Sequence, residues 1–123
     1  MYDKQIDIFD YSFLKHFVVK ELGFSDKKNI QIHIILNEGN FDFSKVNLDF
    51  GDIRFTENKD GSNCLFYWIS YLDYENKKCC VWIELPELNK GENKTIYMFF
   101  GSDDAKSRSN INNLNFIFKY NSS

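Results

Sequence analysis

Four aromatic side chains offer the most usable chemistry in this chain: Tyr67, Trp68, Tyr71 and Trp82. Each presents a broad apolar ring with a polar edge. Such rings suit stacking on a sugar, and they suit a protein contact, where Trp and Tyr are enriched. Trp68 and Trp82 lie in two apolar segments separated by one turn, so on adjacent antiparallel strands they would form a cross-strand pair on one face. Glu84 shares the alternation phase of Trp82 and points to an outward-facing indole. The competing reading is that the four rings fill a core between two sheets.

Other chemistries find less support. Asp42, Asp49, Asp52, Asp103 and Asp104 could donate oxygens to calcium, but no fixed-spacing calcium loop is present and they read as solvated loop carboxylates. His16 and His33 both fall on strand-like segments. A zinc site would need them together with Cys64, Cys79 or Cys80, and no metal-ligand spacing joins them. Nucleophilic catalysis needs a base and an orienting group beside Ser or Cys. No such motif occurs, so the expectation is no enzyme, no catalytic residue, no metal and no cofactor. A hydrolase would require His16 or His33 in a cleft beside a nucleophile. Three cysteines, two of them adjacent, make no disulfide framework and are expected as free, mostly buried thiols; a bridge from Cys64 to Cys79 or Cys80 is the alternative. Asn93-Lys94-Thr95 and Asn121-Ser122-Ser123 fit a glycosylation pattern, which means little without a secretion signal.

The elements that must position these residues read as strands. Leu65–Leu72 is apolar or aromatic at every position but Ser70, and a run apolar on both faces is expected at the centre of a sheet. Ile30–Leu36 alternates cleanly, with Ile30, Ile32, Ile34 and Leu36 on one face and Gln31, His33 and Ile35 on a wetter one. Phe13–Glu21, Asp52–Thr56, Cys79–Leu85, Thr95–Phe100 and Leu114–Tyr120 read as further strands, with a helix the competitor over Phe13–Glu21 because Leu14, Phe17 and Val18 also fit helical spacing. Arg54 is expected outward between inward Ile53 and Phe55, and Pro86 is expected to end its strand because it cannot donate to a ladder. Residues 41–51 read as a helical turn or a loop pinned by aromatics, and 102–113 as an exposed loop. Seven or eight short strands with turns between them and little helix predict an all-β fold, an antiparallel β-sandwich of jelly-roll type. The expected organisation is an N-terminal arm over 1–12, one sandwich domain over 13–120 and a tail over 121–123. The arm reads as an edge strand or as a segment that docks on another subunit.

Composition bounds the function. A chain of 123 residues is one domain and large enough for a core without disulfides or metals. Hydrophobic residues make up 43% and aromatics 18%, a load suited to pleated, half-buried surfaces. The net charge of -3, with basic residues scattered, gives no reason to expect nucleic acid or an anionic membrane. No apolar run approaches the ~20 residues of a membrane helix, and no signal peptide is legible after Met1. The settings compatible with that start are an intracellular protein, a viral structural protein assembled in a host cell, or an excised domain.

Several segments in order carry a resemblance: Phe41-Asp42-Phe43-Ser44-Lys45, Gly51-Asp52-Ile53-Arg54-Phe55-Thr56, Tyr67-Trp68-Ile69, Val81-Trp82-Ile83-Glu84-Leu85-Pro86 and Thr95-Ile96-Tyr97-Met98-Phe99-Phe100-Gly101. Together they resemble the domain of unknown function numbered twenty-three forty-one, over roughly residues 12–105. The resemblance implies a β-sandwich module of archaeal and bacterial surface proteins and of phage or virus particles, often beside lectin-like sandwiches, with no catalytic residues to carry over. It favours a virion or extracellular surface as the location. The expected function is therefore a non-enzymatic structural or assembly module, such as a virion decoration or tail-associated protein, that self-associates or packs on another structural protein. The alternative is a carbohydrate-binding or adhesion module using the aromatic face.

Overall fold

The computed structural model describes residues 5–20 and 27–114. Within them six strands form two antiparallel three-stranded sheets that share one core. The first sheet holds β1 (Phe13–Lys20), β6 (Asn93–Phe100) and β3 (Arg54–Thr56), in the order β1-β6-β3. The second holds β2 (Lys27–Asn37), β5 (Lys78–Leu88) and β4 (Tyr67–Asp73), in the order β2-β5-β4. The only helical pieces among the described residues are 3-10 turns, and no helix is long and apolar enough to cross a membrane. The all-β sandwich expected from the alternating segments is the observed architecture.

The core is made where the inward faces meet. Val81, Ile83 and Leu85 of β5 and Ile96 and Met98 of β6 are essentially inaccessible, as the middle strand of each sheet should be. Phe41, Phe43 and Phe50 close one end, with ring centroids 5.2–5.9 Å apart, and Phe41 reaches Phe100 of β6 at 4.9 Å. The segment 41–51 is thus a loop held by aromatic anchors around one 3-10 turn at Phe43–Lys45.

Five expectations are corrected. The apolar run at Leu65–Leu72 is not central: β4 pairs only with β5 and lies at an edge. It tolerates that place because the segment after β6 covers its free side. Ser109 Oγ accepts from Ile69 N at 2.7 Å and Asn110 N donates to Tyr67 O at 3.0 Å, so residues 102–113 are an edge cover rather than a plain exposed loop. Pro86 does not end β5, which runs on to Leu88. Glu84 N, two residues earlier, donates towards Phe66 O, so the missing Pro86 N–H points to the same side, past the start of β4 at Tyr67, where no ladder partner is required. Arg54 leaves the sheet on its outer side but is buried, because the N-terminal arm folds over it. That arm, over residues 5–12, docks on its own chain: Ile6 N donates to Gly61 O at 3.0 Å, and Ile6, Cys64 and Phe99 bury one another with Ile8, Tyr11 and Tyr97 beside them. The expected closing strand Leu114–Tyr120 lies, apart from buried Leu114, outside the described residues.

Candidate functional site

The sandwich has two outer faces, and they differ. On the β1-β6-β3 sheet the arm seals Phe99 and Cys64 under Ile6. The outer face of the β2-β5-β4 sheet carries the aromatic residues that stood out in the sequence.

Register assembles that face. Trp82 on the middle strand opposes His33 of β2 on one side and Trp68 of β4 on the other. One pair further along, Cys80 lies between Ile35 and Tyr71. In the other direction Glu84 opposes Gln31, whose Nε2 donates to Glu84 Oε1 at 3.0 Å. The backbone explains the closest contact. Glu84 N donates towards β4, to Phe66 O at 3.0 Å, so Gln31–Glu84 and, two residues on, His33–Trp82 are non-hydrogen-bonded pairs on the β2 side. Side chains approach most closely at such pairs. The imidazole of His33 accordingly lies flat on the Trp82 indole, with centroids 4.2 Å apart and planes 8° from parallel. Ile35 is 57% exposed and Tyr71 51% exposed, while Trp68, Trp82 and Cys80 are half-buried in the strip.

Three of the four sequence candidates thus come together: Trp68, Tyr71 and Trp82. Tyr67 does not join them. It points into the core with no exposed surface, its hydroxyl donates to Ile53 O at 3.0 Å and accepts from Arg108 N at 3.0 Å, and its ring meets Phe55 edge-on. The alternation of a strand separates Tyr67 from Trp68 onto opposite faces. His33, Ile35 and Gln31 also belong to the strip; from the sequence His33 was weighed only as a metal or hydrolase histidine, and the other two were not singled out. The signal was present, because the alternation of Ile30–Leu36 already put all three on its wetter side.

The other candidates are dispersed. His16 is exposed on the outer side of β1, in the opposite sheet from His33. Asp42 caps a 3-10 turn by accepting from Ser44 N and Oγ, which holds its carboxyl below the usual carboxylate range. Asp49 accepts from Gly51 N at 2.8 Å. Asp52 is fully buried and accepts from three backbone donors, Asn47 N at 3.0 Å, Gly101 N at 2.7 Å and Ser102 N at 3.2 Å, which ties the aromatic loop to the end of β6. Asp103 and Asp104 are exposed beside a polar cleft of about 540 Å³. Among the described residues no three His, Cys, Asp or Glu side chains converge as a metal site would require. Cys64, Cys79 and Cys80 are free thiols; burial pushes Cys79 up to about 12, with the neighbouring Cys80 thiol adding to the shift, and Cys79 and Cys80 point to opposite faces of β5.

No curated protein and no solved structure matches the chain. The family described as Domain of unknown function (DUF2341) matches residues 49–122. The match leaves out β1 and β2, begins just before β3, and takes in the segment beyond β6, so it lies further towards the C terminus than the resemblance suggested. It includes Trp68, Tyr71 and Trp82 but not the His33 that stacks on Trp82. Covering more than half of the chain, it places this protein in the DUF2341 family.

Proposed function

We propose that this chain is a non-enzymatic assembly module that attaches through the outer face of its β2-β5-β4 sheet, to copies of itself or to another structural protein of a virus particle or cell surface. One observation carries the reading: Ile35 and Tyr71 flank half-buried Trp82 and Trp68 with more than half of their own surface exposed, while on the opposite outer face the arm of the same chain covers Phe99 and leaves Leu14 and Val18 of β1 in the open. A partly exposed apolar strip bounded by polar groups, here half-buried Gln31 and the buried Glu84 it bonds, is a usual mark of a contact surface. The arm is spent on its own chain only through Ile6, Ile8 and Tyr11, while its Phe9 stays 91% exposed.

The stacked imidazole favours a protein contact over a sugar. Sugar binding needs an open indole face, and one face of Trp82 is taken by His33 at 4.2 Å. The carbohydrate reading keeps Tyr71, whose ring is half exposed. Sedimentation over a wide concentration range tests the proposal. Self-association that is lost in Tyr71→Glu supports it. Association indifferent to Tyr71→Glu, with sugar-dependent binding that disappears in Trp82→Ala, replaces it with the carbohydrate reading.

A further inference from the structure

The edges of the two sheets are not equally protected. An edge strand presents unpaired N–H and C=O groups, and proteins seal such edges, twist them or place charges on them. The β3 edge is sealed by the chain itself, with Leu65 N on Phe55 O at 2.8 Å and Glu57 N on Asn63 O at 2.9 Å. The β4 edge is sealed by Ser109 and Asn110. The β1 edge is guarded by Lys15, half-buried on its inward face with Nζ 5.5 Å from the Phe17 ring. Among the described residues nothing pairs with the edge of β2, the longest edge strand at 11 residues.

The backbone of that edge can be read. Because Gln31–Glu84 and His33–Trp82 are non-hydrogen-bonded pairs, the N–H and C=O groups of Gln31, His33 and Ile35 point away from β5. Two carbonyls along it are already used at the ends of the open stretch: Asn40 Nδ2 donates to Ile35 O at 2.9 Å, and Gln31 Nε2 to Asn29 O at 2.8 Å. His33 sits in the middle of the stretch that remains, and no acidic or lysine side chain occurs between Ile30 and Leu36.

We propose that two copies of this chain pair antiparallel along β2, with a two-fold axis at His33, to make one continuous sheet from the two β2-β5-β4 sheets. This deepens the assembly reading and rests on it: the pairing sets two aromatic strips side by side on one larger contact face. The register follows from the outward backbone groups. Centring on His33 opposes Gln31 to Ile35 of the second copy, both with their backbone groups facing outward. It also brings Lys28 of each copy opposite Glu38 of the other, just beyond the strand end. Lys28 and Glu38 are both exposed and have no ion pair among the described residues. Two-fold registers shifted by one step oppose Lys28 to Leu36 or to Asn40 instead, so charge complementarity selects the centred one. A two-fold contact is isologous, so the complementary pair occurs twice.

Sedimentation of the full chain with charge-swap variants tests the pairing. Lys28→Glu and Glu38→Lys should each weaken the dimer, roughly tenfold given two exposed pairs turned from attraction to repulsion. The double variant Lys28→Glu/Glu38→Lys should restore it to within about threefold, since the pair is rebuilt with signs exchanged. His33→Pro should abolish the dimer and leave the circular dichroism of the sheet unchanged, because that N–H faces away from its own ladder. A monomer at every concentration, or a dimer indifferent to the swaps, overturns the pairing. Tyr71 is two strands from this edge, which keeps the two ideas apart. Association lost in Tyr71→Glu but indifferent to the swaps overturns the edge pairing and leaves the face reading standing. The reverse pattern upholds the pairing and overturns the face reading.

Discussion

The arm over the β1-β6-β3 sheet hangs on one glycine, and Gly61→Ala should release it. Gly61 has φ +89, and a Cβ there would stand 2.7 Å from Ile8 Cγ2 and 2.9 Å from Ile6 O. The left-handed backbone alone costs a residue with a Cβ about 1–2 kcal/mol. The contact with Ile6 O is with backbone and cannot be relieved by a rotamer change. The inexpensive relief is for the arm to lift, which forfeits the burial of Ile6, about 2 kcal/mol, and the Ile6 N–Gly61 O bond, about 1 kcal/mol. Docking therefore weakens by about 3 kcal/mol, on the order of a hundredfold in the docking equilibrium. Cys64 reports the change, since it is 1% exposed beneath Ile6 and burial raises its thiol above the ordinary range. The assay is labelling with a neutral thiol reagent at pH 8, followed by peptide mass spectrometry. Half-buried Cys80 and fully buried Cys79 serve as internal references. Cys64 should label at least tenfold faster in the variant, with Cys79 still protected. An unchanged Cys64 rate would refute the reasoning about the arm. Cys64 and Cys79 rising together would refute it too, by showing global unfolding instead of local release.

Two further outcomes follow from buried polar groups. Asp52→Asn keeps the shape but turns one acceptor into a donor facing a backbone N–H, so urea denaturation should show a loss of about 2–3 kcal/mol; a loss under about 0.5 kcal/mol would mean the three donors do not depend on the carboxylate. Cys79 sets an alkaline limit. Its folded pKa is raised above the unfolded one, so its contribution to stability is complete below the unfolded value of 9.0 and is lost as pH rises from there towards about 12. Denaturation midpoints should fall across that window, and Cys79→Val should remove part of the fall; an identical pH profile in the variant would contradict the assignment.

How much of this was legible in the chain depends on which physics each feature uses. The alternation of Ile30–Leu36 and of Val81–Leu85 is a local consequence of the pleat, and it correctly placed His33 and Trp82 on outer faces. The cross-strand meeting of Trp68 and Trp82 could be read because a single turn joins their strands, so the pairing is local in sequence. Tyr67 was grouped with its neighbours by type, although the same alternation puts it on the other face.

What the chain could not reveal by itself rests on contacts between distant residues. The apolar run around Tyr67 looked central because both of its sides are greasy, but the cover on its free edge comes from Ser109 and Asn110, some forty residues later. Arg54 looked like a surface cation, yet Ile6 and its neighbours lie over that face and its guanidinium is held by Gly51 O, Ile53 O and Lys106 O. Whether the arm reached for a partner or for its own sheet had no local signal, since Ile6, Ile8 and Tyr11 would bury equally well on either. Sequence determined the strands and the faces of their side chains, because those follow from a period of two. Tertiary structure decided strand order, which edges are sealed and which part of an outer face the arm covers, because each depends on which distant segment wins the same apolar surface.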